Sequence, residues 1–218
     1  MNDNVILKKI KFEVETLGFR NTPALRGISK RYYKNIMIKP SEDIFALCSI
    51  LLDTKIWSYQ LIAYDWAFRL KNHYDLNTYE LFENWLYTYI KDWYDCDDFC
   101  CHAFGHLLYK FPELATKVYN WTKSDNFAVR RSAAVVFIYS IRRGQFNNIV
   151  WKIIENLLND EHYLVLKGYG WLLKEMTKNF KSDTINFLQK YEDKMPRISF
   201  RYSIEKLNYD EKRKNFNL

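Results

Sequence analysis

Ile149-Val150-Trp151-Lys152-Ile153-Ile154-Glu155-Asn156-Leu157-Leu158 runs into Asn159-Asp160. Ile153, Ile154, Leu157 and Leu158 recur at the three- and four-residue steps of one helix face, and the Asn-Asp pair that follows is a break. The same spacing governs most of the chain, as at Ile44, Leu47, Cys48 and Leu51, while strict alternation of period two is nearly absent. An all-α protein is therefore expected. Pro40-Ser41, Leu76-Asn77, Ser124-Asp125-Asn126, Gly144, Lys181-Ser182-Asp183 and Met195-Pro196 cut it into about a dozen helices of about 10 to 18 residues.

Small residues fall in the middle of every second helix, at Ala63, Ala103, Ala133, Gly170 and Ser203, roughly 30 to 40 residues apart. That is the period of stacked helix pairs of the HEAT kind, in which small residues let the second helices approach one another. No linker or low-complexity stretch divides the chain. The expectation is an α-solenoid of HEAT-like helix pairs, one curved domain over residues 1–218. Its inner wall would be formed by helices near 56–71, 95–110, 126–142, 162–178 and 196–207.

The composition, 48% hydrophobic and 27% charged with 6 Gly and 4 Pro among 218 residues, can build its own core without staples. Cys48 and Cys96 lie inside apolar runs and Cys100 and Cys101 are adjacent, which reads as reduced core thiols in a cytoplasmic protein. Asp3, Lys8, Lys9 and Lys11 interrupt the first apolar pattern, so no export signal is expected. No run approaches the length of a membrane span, and the mean hydropathy is −0.40.

A net charge of +7 favours a polyanionic partner, and 7 Trp with 17 Tyr supply faces on which bases or sugars can stack. The inner helices would carry Lys55, Arg130, Arg131, Lys167, Arg197 and Arg201 near their first turns, a ladder of cations along which a duplex backbone could lie. The bland reading of any one of them is a solvated charge.

Three segments stand out for chemistry. Trp93-Tyr94-Asp95-Cys96-Asp97-Asp98 opens a helix with three carboxylates in one turn. Capping and dipole effects account for one or two of these carboxylates, but not for Trp93 and Asp97 standing four apart on one face. Asp125 to Ala134 sets Arg130 and Arg131 before small residues. Either a forked contact on phosphate or a pair with a neighbouring repeat's carboxylate suits that placement. Lys167-Gly168-Tyr169-Gly170-Trp171-Leu172-Leu173-Lys174-Glu175 puts two glycines inside a helix, at about 1 kcal/mol each against Ala, which close packing or close ligand approach would justify.

Asp97, Arg131 and Trp171 in this order, with Gly18 to Tyr32, Phe111-Pro112-Glu113-Leu114, Trp121, Ser124-Asp125-Asn126, Gly170 to Glu175 and Met195-Pro196-Arg197, resemble the DNA alkylation repair family of HEAT-like-repeat alkylpurine DNA glycosylases. The resemblance covers roughly residues 18 to 208. It implies a monofunctional glycosylase that excises positively charged N3- or N7-alkylated purines from duplex DNA in base excision repair. It makes Asp97 catalytic and gives Trp93, Trp171 and Arg131 to substrate binding, while Arg130, Lys167, Arg197, Arg201 and Lys55 are assigned to the DNA backbone by their places on the expected inner helices. It also implies no cofactor, no metal, no membrane, a monomer, and a cytoplasmic place beside a bacterial nucleoid. Ala128 departs from the pattern, since several relatives carry an aromatic there, and the segment before Gly18 is short for the family's first helix pair.

Two other readings compete. One is a non-catalytic repeat protein of the same family that binds bent or branched DNA, and the other is a helical-repeat scaffold for an acidic protein. Cys96, Cys100, His102 and His106 have spacings a helix-borne zinc could use, but form no loop-borne Cys-x-x-Cys pair. No nucleophile elbow and no phosphate-binding glycine loop occurs.

Overall fold

The computed structural model describes residues 3–17 and 21–216, which form helices and turns with no strand among them. Gly18, Phe19 and Arg20, part of the segment that carries the family resemblance, lie outside the described residues. The chain divides into two compact units, Met1–Tyr89 and Ile90–Leu218.

The first unit holds α1 (Asp3–Thr16), α2 (Thr22–Ile36), α3 (Ser41–Asp53), α4 (Trp57–Arg69), a 3₁₀ turn at Lys71–His73 and α5 (Thr78–Tyr89). The Asn21 side chain accepts the Ala24 N–H, and Pro23 in the first turn needs no such partner, so α2 starts where the sequence says it should. The helices α1 and α2, α2 and α4, and α3 and α4 pack on one another. Polar ties cross the pairs at a nearly fixed interval. Trp66 Nε1 donates to the Ser29 carbonyl at 3.1 Å, Trp85 Nε1 to Ser49 Oγ at 3.2 Å and the Tyr89 hydroxyl to Asp53 at 2.5 Å, separations of 37, 36 and 36 residues.

The second unit opens with α6 (Trp93–Phe99), a π-helical turn (Cys100–Phe104), α7 (Gly105–Lys110) and a 3₁₀ segment (Pro112–Lys123). It continues through α8 (Phe127–Val135), α9 (Ile138–Ile141), α10 (Ile149–Leu157), α11 (Tyr163–Asn179), α12 (Lys181–Tyr191), α13 (Arg197–Ser203) and α14 (Tyr209–Asn215). One layer is the succession α6, α8, α11 and α13, each packed on the next. The 3₁₀ segment, α10 and α12 back it. The period appears again in side-chain ties. Asn126 Nδ2 donates to the Ile90 carbonyl, Ser132 Oγ to Cys96 Sγ, Asn156 Nδ2 to Thr122 Oγ1 and Tyr191 to Glu155, joining residues 34 or 36 apart. The stretch Ile149 to Leu157 folds as read, with Ile153, Ile154 and Leu157 buried, each contributing roughly 1.5–3 kcal/mol of transfer free energy.

The helices expected at 95–110 and 126–142 are each broken once. In the first, the chain widens to a π turn before Gly105, where a Cβ would come 2.7 Å from the Tyr139 Cβ on α9. In the second, the Phe137 N–H reaches back three residues to the Ala134 carbonyl rather than four. The two glycines of α11 serve close packing. A Cβ on Gly170 would lie 3.0 Å from the Ser199 carbonyl oxygen of α13, and one on Gly168 would lie 3.1 Å from Cγ of Arg131 on α8. All four cysteines are free, three of them buried, and no helix among the described residues is long and apolar enough to cross a membrane.

Candidate functional site

The Asp92 side chain accepts the Trp93 N–H at 2.7 Å and starts α6, which places Trp93, a residue 48% exposed, on its first turn. Asp97 follows one turn later on the same face. Both of its oxygens are taken by Arg131, whose Nε donates to Oδ1 and Nη2 to Oδ2, each at 2.9 Å. Arg131 Nη1 donates to the Leu164 carbonyl in the first turn of α11 at 2.6 Å. The guanidinium is therefore a strut joining α6, α8 and α11, and Gly168 leaves the room in which its stem lies. Arg131 is buried, while the Asp97 side chain keeps 22% of its surface open.

Burial pushes the Asp97 carboxyl above its ordinary value, against the hydrogen bond and charge of Arg131, which pull it down. Burial also opposes the charge on Arg131, but the carboxylate more than reverses this and its pKa rises. Cys101 is raised well above the usual thiol range by burial, with Asp97's charge adding to it, and Cys100 is raised by burial too. These thiols stay protonated and unreactive beside the carboxylate.

Trp171 lies three residues beyond Gly168 on α11, half-buried, with its Nε1 donating to Glu175 at 3.2 Å. Along their helices, Trp93 precedes Asp97 by about one turn, and Trp171 follows by about one turn Gly168, whose missing Cβ leaves room for the Arg131 stem. Phe127, beside the departing Ala128, stacks on the His162 ring at 3.7 Å, and Ala128 itself is fully buried.

The remaining cations divide. Arg130 Nε and Nη2 donate to Asp160 at 2.6 and 3.1 Å, and its Nη1 to the carbonyls of Ser124 and Asp125. In Arg130 and Arg131 alike, the fork expected on a phosphate is taken up by a carboxylate, the alternative their spacing also allowed. The reason is local: Asp160 and Asp97 approach from neighbouring repeats within bidentate reach, and a buried or half-buried guanidinium must be satisfied. Lys167, Arg197 and Arg201 are exposed and line an open groove of α11 and α13 with Ile198, Tyr202 and Glu205. Lys55 stands in the turn between α3 and α4 of the first unit, exposed, in the left-handed region at φ 56°.

Three of the four zinc candidates have other partners. Cys96 accepts from Ser132, His102 Nδ1 lies 2.8 Å from the Asp98 carbonyl, and His106 Nδ1 lies 2.9 Å from the Tyr139 hydroxyl. No group of three or more metal-ligating side chains occurs among the described residues. Sequence reasoning gave no role to Asp160, Arg142 or Glu175. The Trp171–Glu175 interval of four was the one available signal for the last.

Helix pairs tied at a period of about 36 residues put this chain among the helical-repeat proteins. A family model described as DNA alkylation repair enzyme matches residues 6–207, and the chain belongs to that family. Three solved structures share its fold. A predicted DNA alkylation repair enzyme from Enterococcus faecalis is 16% identical, with 87% of each chain covered and a TM-score of 0.73. AlkD2 from Streptococcus mutans is 16% identical, with 94% of this chain and 98% of that one covered and a TM-score of 0.67. The smu.31 protein from Streptococcus mutans UA159 is 15% identical over 94% and 99%, at a TM-score of 0.66. No curated protein matches the chain.

Proposed function

We propose that the protein is a monofunctional DNA glycosylase that hydrolyses the N-glycosidic bond of N3- or N7-alkylated purines in duplex DNA. The observation that carries this reading is the Asp97 carboxylate, still partly open to solvent, pinned by Arg131 and set one turn from the exposed Trp93.

An alkylated purine already bears a positive charge, so it departs with the electron pair of the broken C1′–N bond and leaves neutral, with no acid needed. Positive charge then grows on the deoxyribose. A carboxylate with both oxygens on a guanidinium is a poor nucleophile, which suits stabilising that charge at a distance better than forming a covalent sugar adduct. A water held by Asp97 forms the new C1′–O bond and gives up its proton to solvent. A preorganised charge of this kind is worth about 10² to 10³ in rate. Trp93 and Trp171 offer ring faces to a cationic nucleotide at about 0.5–2 kcal/mol each, more than a neutral purine gains. Arg131, with three of its five N–H donors on Asp97 and Leu164, orients the carboxylate, and the exposed Lys167, Arg197 and Arg201 would meet phosphates.

Asp97→Asn keeps the shape and removes the charge. Incubated with methylated genomic DNA, the variant should release no 3-methyladenine or 7-methylguanine by chromatography while holding duplex DNA within a factor of about two of the parent. Undiminished release would defeat the assignment. Salt-dependent DNA binding with no release by the unaltered protein would leave the non-catalytic binder.

A further inference from the structure

Glu175 is 4% exposed and charged, in a layer of α11 that otherwise buries Leu172, Leu173 and Met176. A carboxylate there is costly unless every lone pair is used, and four donors from three residues converge on it. Trp171 Nε1 donates to Oε1 at 3.2 Å, Arg142 Nη2 to Oε1 at 3.1 Å, Arg142 Nε to Oε2 at 3.2 Å and Lys178 Nζ to Oε2 at 2.6 Å. Trp171 and Glu175 are one turn apart on α11, while Arg142 comes from the end of α9, so the cluster locks two elements. The Arg142 guanidinium carbon also lies 5.6 Å from the Trp171 ring centroid. One side chain thus fixes the indole edge, and the cation that the same side chain holds stands over the face.

We propose that Glu175 is the positioning residue of Trp171, aiming its ring through the indole N–H and bracing it through Arg142. The proposal rests on the glycosylase reading for what Trp171 does once aimed. An anion accepting an indole N–H does more than orient it. It polarises the bond and enriches the ring in electron density, which strengthens the attraction of that ring for a positively charged nucleotide. Burial by itself would raise the Glu175 carboxyl, but Arg142 and Lys178 more than offset it and hold it at about 2, so the anion persists at any working pH.

The test uses the full chain labelled with 5-fluorotryptophan, in which the Trp171 fluorine line is the one missing from Trp171→Phe. In Glu175→Gln and in Arg142→Ala, that line should shift and broaden while those of the other tryptophans, six in all, stay in place. Arg142 is half-exposed, so its variant keeps the test open if the buried substitution compromises folding. In single-turnover release of 7-methylguanine, Glu175→Gln should slow the reaction about tenfold with duplex affinity nearly unchanged, and should add nothing in the Trp171→Phe background. An unmoved Trp171 line in both variants overturns the proposal, as does an equal Glu175→Gln penalty with and without Trp171. If the unaltered protein releases no base, the glycosylase reading fails, and the fluorine lines still decide whether Glu175 positions Trp171.

Discussion

Arg131 pulls Asp97 toward the ionised form against burial, and the ionised form is the one that the proposed glycosylase reaction would use. A carboxyl whose folded pKa lies above its unfolded value near 3.8 is disfavoured once ionised. Stability from this group is therefore fully present below that value and declines as pH rises through the raised one. Arg131→Gln removes the influence that lowers the carboxyl, so the acid limb of the single-turnover rate profile should move to higher pH by about one unit or more. An acid limb that stays put would take Asp97 out of the rate-limiting step. Residue identity foretold part of this geometry. Trp93 and Asp97 share a helix face because they stand four apart, which any helix enforces, whereas the partner of Arg131 depended on which of several carboxylates 30 or 34 residues away came within reach.

At the scale of the element, α11 shows why two glycines are tolerated in the middle of a helix. They face opposite neighbours, Gly168 toward the Arg131 stem and Gly170 toward the backbone of α13. Backbone cannot give way as a flexible side chain can. Gly170→Ala should gain about 1 kcal/mol of helix propensity yet lose about 1–3 kcal/mol to overpacking, for a net fall in melting temperature. Gly27 in α2 has nothing within 4 Å of an added Cβ, so Gly27→Ala should instead stabilise by about 0.5–1 kcal/mol. Thermal melts of the two variants side by side check both signs, and a stabilising Gly170→Ala would mean that α13 is not held at the distance described. Element type was legible throughout, because three- and four-residue apolar spacing has one structural reading over a long run. The π turn before α7 and the tightened step at Phe137 were not, since each shifts the backbone hydrogen bond by one residue while leaving the apolar spacing nearly intact.

For the molecule as a whole, a net charge of +7 makes affinity for any nucleic acid a matter of ionic strength. Lys167, Arg197 and Arg201 line one groove and carry no ion pair among the described residues. Replacing all three by Ala should flatten the plot of log affinity against log salt by about 0.9 for each phosphate that is no longer neutralised. Fluorescence anisotropy on random duplex DNA across a salt series measures that slope, and an unchanged slope would place the phosphates elsewhere. Replacing Arg130, locked on Asp160, should alter the slope little.

The polar ties that join residues about 36 apart, such as Asn126 to Ile90 and Ser132 to Cys96, reach only the adjoining pair of helices. Cohesion within the Ile90–Leu218 unit is then passed on hand to hand, like links that each grip the next one only, so slack introduced between α13 and α11 has no direct route to the Asp97 carboxylate except by way of α11. That one helix touches Arg131, bears Trp171 and receives α13, which makes it the linchpin through which strain arriving at α13 would be felt at the Asp97–Arg131 pair.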